Sequence, residues 1–365
     1  SGQHLSSTTR ITLEDLIRQV DAPPDGRALI AQFVPPPRFA SKRFETYKPS
    51  PAHPSQREAL ERLRALAASL HEEAGRSALS RRLRAALGMR RRGGGIYLDG
   101  GFGVGKTHLL AALWNAAPGP KAYLTFDELV FTIGLLGVAG TREAFSGMRL
   151  VAVDEWELDD PGNLQMAVAF LRGALADGVQ VATTSNTIPD ELGNGRFPQK
   201  DFKAEIEEMA AAFEVLRVSG DDFRNRHFTS SPGLESFLTP EALATAASRA
   251  SGRVVYAPFR DVLGALARVH PIRYAAMVRA VDALFIQDLE PIDRLPEALR
   301  WVHFIDKLYD AAIPVAMSSH TPLSELFPES FLRGPYGKKF SRCLSRLAEL
   351  VGPGSPHHAL ALENA

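Results

Sequence analysis

One turn constrains this chain more than any other feature: Gly100-Gly101-Phe102-Gly103-Val104-Gly105-Lys106-Thr107, of the form G-x-x-x-x-G-K-[ST]. An apolar strand, Ile96 to Leu98, precedes it, and a helix, Thr107 to Asn115, follows it. The glycines let backbone amides turn inward onto phosphate oxygens, and the helix N-terminus adds the positive end of its dipole. Lys106 supplies a cation for the β- and γ-phosphates, and Thr107 a hydroxyl for Mg²⁺. Gly100 to Thr107, with His108 beside them, are therefore the candidate binding residues for ATP.

Downstream segments offer the other groups such a turn needs. Leu150 to Val153 is an apolar strand that ends in two carboxylates, Asp154 and Glu155. Asp154 is the candidate partner of Thr107 on Mg²⁺, and Glu155 the candidate for orienting and polarising the attacking water. Glu157, Asp159 and Asp160 read as loop acids. Val179 to Thr184 is a further strand with a polar tip at Asn186. In P-loop ATPases with an additional central strand, this strand lies between the strand of the turn and the acidic strand. Asn186 would then sense the γ-phosphate and the water; a turn-capping amide is the alternative. Arg196, in Gly193-Asn194-Gly195-Arg196-Phe197, falls where such ATPases expose an arginine to a neighbouring subunit. Composite sites in an ATP-promoted ring, a hexamer, follow from that reading. Arg224, in Asp222-Phe223-Arg224, is a second arginine that could sense phosphate or form a local ion pair.

These strands, with Ala122 to Thr125 and Phe213 to Val218, alternate with helices, which predicts a parallel sheet with right-handed crossovers. Residues 3 to 55 read as a proline-rich arm. It carries a short helix from Thr12 to Val20 and aromatic anchors at Phe33, Phe39, Phe44 and Tyr47. Ser55 to about Leu87 is expected to be one helix. Arg81, Arg82, Arg84 and Arg90 to Arg92 follow on it before Gly93-Gly94-Gly95, and read as a solvated face and linker, with a nucleic-acid patch as the alternative. Helices are expected to fill 241 to 282, ahead of a strand–helix–strand unit near 283 to 318.

Composition narrows the partners. The 365 residues suggest two domains, and 42 basic against 42 acidic side chains provide no overall field for nucleic acid. The single cysteine, Cys343, excludes an intramolecular disulfide and a cysteine zinc cluster. Leu129 to Gly140 is too short an apolar stretch to span a bilayer, and the N-terminus has no signal-like pattern. A cytoplasmic location is the expectation.

The segments IYLDGGFGVGKTHLL, LVAVDEWELDD, VATTSNTIPDEL, FPQKDFKAEIEEM, GDDFRNRHF and LRWVHFIDKLYDAAIPVAMSS together resemble the ZapE/LACE family of AAA+ ATPases. The resemblance runs over about residues 55 to 330. The chain departs from the family at Val104, where an arginine is usual, and in the short segment around Arg196. The resemblance implies an ATPase that acts on a protein partner, with the tubulin-like FtsZ of the division ring as the bacterial case and a peripheral location at the division site. A nucleic-acid-handling AAA+ protein, such as an initiator or helicase loader, is the rival reading.

The C-terminal part echoes the acidic-strand region. Shifting residues 150–192 by 134 positions without a gap matches eleven of 43 residues. Asp154 then falls on Asp288, Glu155 on Leu289 and Asn186 on His320. No second G-x-x-x-x-G-K lies upstream of residue 283 to serve it. The expected fold is α/β: an AAA+ type parallel sheet flanked by helices. A proline-rich arm is expected over 1–54, the ATPase domain over 55–230, a C-terminal α/β module over 231–350, and a tail over 351–365.

Overall fold

The computed structural model describes residues 7–20, 25–89, 93–101, 105–157, 161–186, 203–221 and 237–352. It divides into two compact units, Pro24–Arg224 and Ser1–Pro23 with Asn225–Ala365. The arm is therefore shared between units rather than forming one. Its first segment, β1 (Thr8–Arg10) and α1 (Leu13–Val20), lies in the unit of the C-terminal half. The reason is apolar: Leu16, Ile17 and Val20 are buried in one cluster with Val262 and Leu266.

The other unit contains α2 (Gly26–Ala31), α3 (Pro54–Ala74), α4 (Ala78–Ala86), β2 (Gly95–Asp99), α5 (Lys106–Ala116), β3 (Lys121–Thr125), α6 (Phe126–Phe145), β4 (Leu150–Asp154), α7 (Pro161–Ala176), β5 (Gln180–Ser185), α8 (Lys203–Ala212) and β6 (Phe213–Arg217). The sheet order is β3-β4-β5-β2-β6 and every pair is parallel. The strand ending near Asn186 thus lies between the strand of the turn and the acidic strand, as in P-loop ATPases with an additional central strand. β2, β4 and β5 are buried along their whole length, as expected for strands covered by helices on both faces.

Two local readings change. The helix expected from Ser55 to Leu87 is two helices, because α3 ends at Gly75 and the Ser77 hydroxyl caps α4 by accepting from the Ser80 amide at 3.1 Å. The Ser55 hydroxyl accepts from the Ser219 amide at 2.9 Å. Nor do the glycines at the start of β2 form a loose linker. A Cβ on Gly93 would fall 1.9 Å from the Val179 carbonyl oxygen, and one on Gly95 would fall 2.4 Å from that of Ala212.

The second unit adds α9 (Pro240–Arg249), β7 (Gly252–Pro258), α10 (Phe259–Arg268), α11 (Tyr274–Arg279), β8 (Ala283–Leu289), α12 (Leu295–Asp310), β9 (Val315–Ser319), α13 (Glu329–Leu332) and α14 (Gly337–Val351). Its sheet is β1-β7-β8-β9, again parallel. The expectation of helices throughout 241–282 is corrected by β7. Its run Arg253-Val254-Val255-Tyr256 is strand-like but is too short to show periodicity between two helices.

The registers refine the internal echo. Lys121 pairs with Leu150 and Val254 with Ala283, so β3-β4 and β7-β8 superimpose at a shift of 133. Val151 pairs with Val181 and Leu284 with Val315, so the next strand follows at 134. The gapless alignment is off by one residue in the acidic strand. Glu155, not Asp154, corresponds to Asp288, and Asp154 corresponds to Gln287.

Candidate active site

The described part of the turn meets the ends of β4 and β5. Gly105 opens α5 with φ of +88°, a left-handed conformation that favours glycine, and a Cβ there would come 2.7 Å from the Tyr47 ring. Phe102, Gly103 and Val104 lie outside the described residues. The Lys106 Nζ donates to the carbonyls of Gly100 and, at 2.9 Å, Gly101, and to Asn186 Oδ1 at 2.7 Å. Burial pulls its pKa down to about 8, against the pull of Asp99 and Asp154.

The Thr107 hydroxyl faces both oxygens of Asp154 at 3.2 Å. The Asp154 carboxylate also accepts from the Tyr123 hydroxyl at 3.1 Å, from the Thr184 hydroxyl, and from the Glu155 amide at 3.1 Å. Burial, and after it the neighbouring Glu155 charge, push the Asp154 carboxyl above its usual value; the three hydroxyl bonds oppose them. A buried carboxylate beside a threonine hydroxyl is a hard oxygen donor set, which fits a divalent cation such as Mg²⁺.

Glu155 sits at a left-handed turn, φ +54°. That turn is fastened to β5. The Glu155 amide donates to Thr184 Oγ1 at 2.9 Å, and the Trp156 amide to the Thr184 carbonyl at 2.7 Å. Trp156 is fully buried against Phe126 and Phe213, with ring centroids 4.8 and 5.9 Å away. One threonine thus positions both acids.

Asn186 bridges the site, since its Nδ2 donates to Glu157 Oε1 at 3.0 Å while its Oδ1 accepts from Lys106. Glu157 is therefore no mere loop acid. Asp159, Asp160, Arg196 and Arg224 lie outside the described residues. His108 takes a different side: its Nε2 lies 3.0 Å from Thr46 Oγ1 and 3.1 Å from the Arg43 carbonyl, and its ring meets Tyr47 edge-on. It ties the arm to α5. Tyr123 and Thr184 have no signal in local sequence, and only the neighbours of β4 reveal them; Tyr47 is legible as an anchor of the arm, and Glu157 only as a loop acid.

Comparison with known proteins is consistent with this geometry. The model of the AFG1-like ATPase family matches residues 35–245 and 235–353. This chain belongs to the AFG1-like ATPase family. It is accordingly an ATP-hydrolysing enzyme, and its fold is α/β, with parallel sheets flanked by helices. This AFG1-like ATPase is 24% identical over 294 residues to the cell division protein ZapE of Escherichia coli K12, covering 70% of this chain and 77% of that protein. It is 22% identical over 330 residues to an uncharacterized protein of Schizosaccharomyces pombe, covering 70% and 72%. Among solved structures, AMPPCP-bound DnaA from Aquifex aeolicus aligns with a TM-score of 0.37 and 16% identity, covering 50% of this chain and 51% of that one. The DnaC helicase loader aligns with a TM-score of 0.34 and 16% identity over 50% of this chain and 99% of that one. Among the described residues, no helix is long and apolar enough to cross a membrane.

Proposed function

We propose that this AFG1-like ATPase couples hydrolysis of Mg-ATP to remodelling or regulation of a protein partner, in cell division through the FtsZ ring. The observation that carries the chemistry is a pair of hydrogen bonds at the start of α5: Lys106 bonds to Asn186, and the next residue, Thr107, to Asp154. In this reading Gly100 to Thr107 hold the phosphates, and Lys106 leaves the carbonyls of Gly100 and Gly101 for the β- and γ-oxygens. Thr107 and Asp154 would hold Mg²⁺, which when bound would supply Lewis acidity toward the phosphoryl oxygens. Glu155 takes a proton from water as the water oxygen bonds to the γ-phosphorus. The bond from that phosphorus to the bridging oxygen breaks, leaving ADP and phosphate. Asn186 reports the γ-phosphate to Glu157. Arg196 of one chain serves the site of the next in an ATP-promoted ring, a hexamer, so Arg196→Ala should bind ATP and hydrolyse it poorly.

The division reading is supported by the name of the Escherichia coli relative, ZapE, and implies a cytoplasmic protein peripheral to the division site. It is tested by ATPase rates with and without FtsZ polymers, and with and without duplex DNA. Stimulation by FtsZ alone is the expected result; stimulation by DNA alone would replace the partner reading with a nucleic-acid one.

A further inference from the structure

Helix α4 has no buried residue, although it carries an apolar stripe. Leu79, Leu83 and Leu87 recur at helical spacing and are 78%, 61% and 66% exposed, with Met89 beyond them at 55%. On a helical wheel this stripe, filled in by Ala86, is bordered by Arg82 on one side and Arg84 on the other, with Arg81 opposite. From Gly75 to Met89 there are four arginines and no acid, in a chain whose net charge is zero. Among the described residues, none of these arginines lies within ion-pair distance of a carboxylate; Arg81 donates to the Arg76 carbonyl at 2.9 Å.

A nine-residue helix with no buried residue is marginal in water, and its leucines then stand in solvent. An apolar stripe edged by arginines is instead suited to the boundary between headgroups and acyl chains. There the leucines enter the hydrocarbon, and the arginine stems extend back toward anionic headgroups. A nucleic-acid backbone would satisfy the arginines and leave the leucines in water. We infer that α4 lies on an anionic lipid surface and attaches the P-loop unit to it peripherally. The inference does not depend on the nucleotide chemistry or on the division reading.

The test is co-sedimentation of the full chain with vesicles of phosphatidylcholine alone or mixed with phosphatidylglycerol. Binding to the mixed vesicles only, weakened by salt, is expected. Each of Arg82→Gln and Arg84→Gln should cost about fivefold in partitioning, and Arg81→Gln, on the opposite face, less. The combined Leu79→Gln, Leu83→Gln and Leu87→Gln variant should lose binding with its charge intact, while its ATPase rate in solution stays at the wild-type value. In a Leu83→Trp variant, the added emission should shift to the blue with mixed vesicles. Wild-type sedimentation of the leucine variant, or unshifted Leu83→Trp emission, overturns the inference. So does binding of duplex DNA by the wild type and the leucine variant alike, without binding to vesicles.

Discussion

At the end of β4 the backbone turns left-handed at Glu155, whose amide donates to the Thr184 hydroxyl of β5 at 2.9 Å. At the end of β8 it turns left-handed at Asp288, whose amide donates to the Ser318 hydroxyl of β9 at 2.9 Å. A tyrosine stands beside each turn at the same register: Tyr123 donates to Asp154, and Tyr256 accepts from Gln287. Asn186 in one unit bonds to Lys106 and Glu157, whereas His320 in the other pairs with Asp288 at 3.2 Å. The two strand ends thus share a backbone and differ in chemistry. Gln287 cannot provide the carboxylate that Asp154 brings to Thr107. The C-terminal sheet also lacks, among the described residues, a strand beyond β9 corresponding to β2, the strand that carries the phosphate turn. A strand-end turn is a reusable scaffold; a nucleotide site also needs a cradle, a lysine and a buried carboxylate.

The largest expected effect separates the two ends outright. Lys106→Ala should abolish ATP binding, and calorimetry should count one site per wild-type chain and none in the variant. Heat that survived in the variant would place a second site at β8 and β9 and break the comparison. Next, Glu155→Gln should keep ATP binding and lose about 10²–10⁴ in turnover, the usual contribution of a positioned base. Asp288→Asn, at the matching turn, should leave steady-state turnover unchanged.

The pH dependence of ATP affinity sharpens the contrast further. Lys106 titrates near pH 8 because it is buried, and a bound phosphate favours its charged form. Below that pH the lysine is already charged and affinity is flat. Above it, binding must take up a proton, so the Kd should rise by about tenfold per pH unit. Fluorescence titration of a nucleotide analogue across this range would show it, and a flat profile would refute the assignment. The smallest effect concerns the two tyrosines. Tyr123→Phe removes one of the three hydroxyl donors to the Asp154 carboxylate, about 1.5 kcal/mol, and should weaken Mg²⁺-dependent turnover about tenfold. Tyr256→Phe should move only the melting temperature.

Much of the candidate nucleotide site could be read from spacing alone. The glycine turn, Lys106, Thr107, and the acids closing β4 depend on residues a few positions apart, and the alternation of apolar runs implied a parallel sheet; the central place of β5 came from likeness to other P-loop ATPases, not from this pattern. These are local signals, because a turn and a strand end are set by their own residues. Where a side chain depends on which distant strand lies beside it, tertiary structure decided. Thr184 reaches Asp154 and Glu155 only because β5 pairs with β4, and Tyr123 only because β3 does. Glu157 gains a role through Asn186, and His108 turns to the arm because Arg43 to Tyr47 run across α5. The echo of Asp154 on Asp288 slipped by one residue for the same reason. An ungapped alignment counts positions along the chain, whereas register is determined by hydrogen bonds between strands.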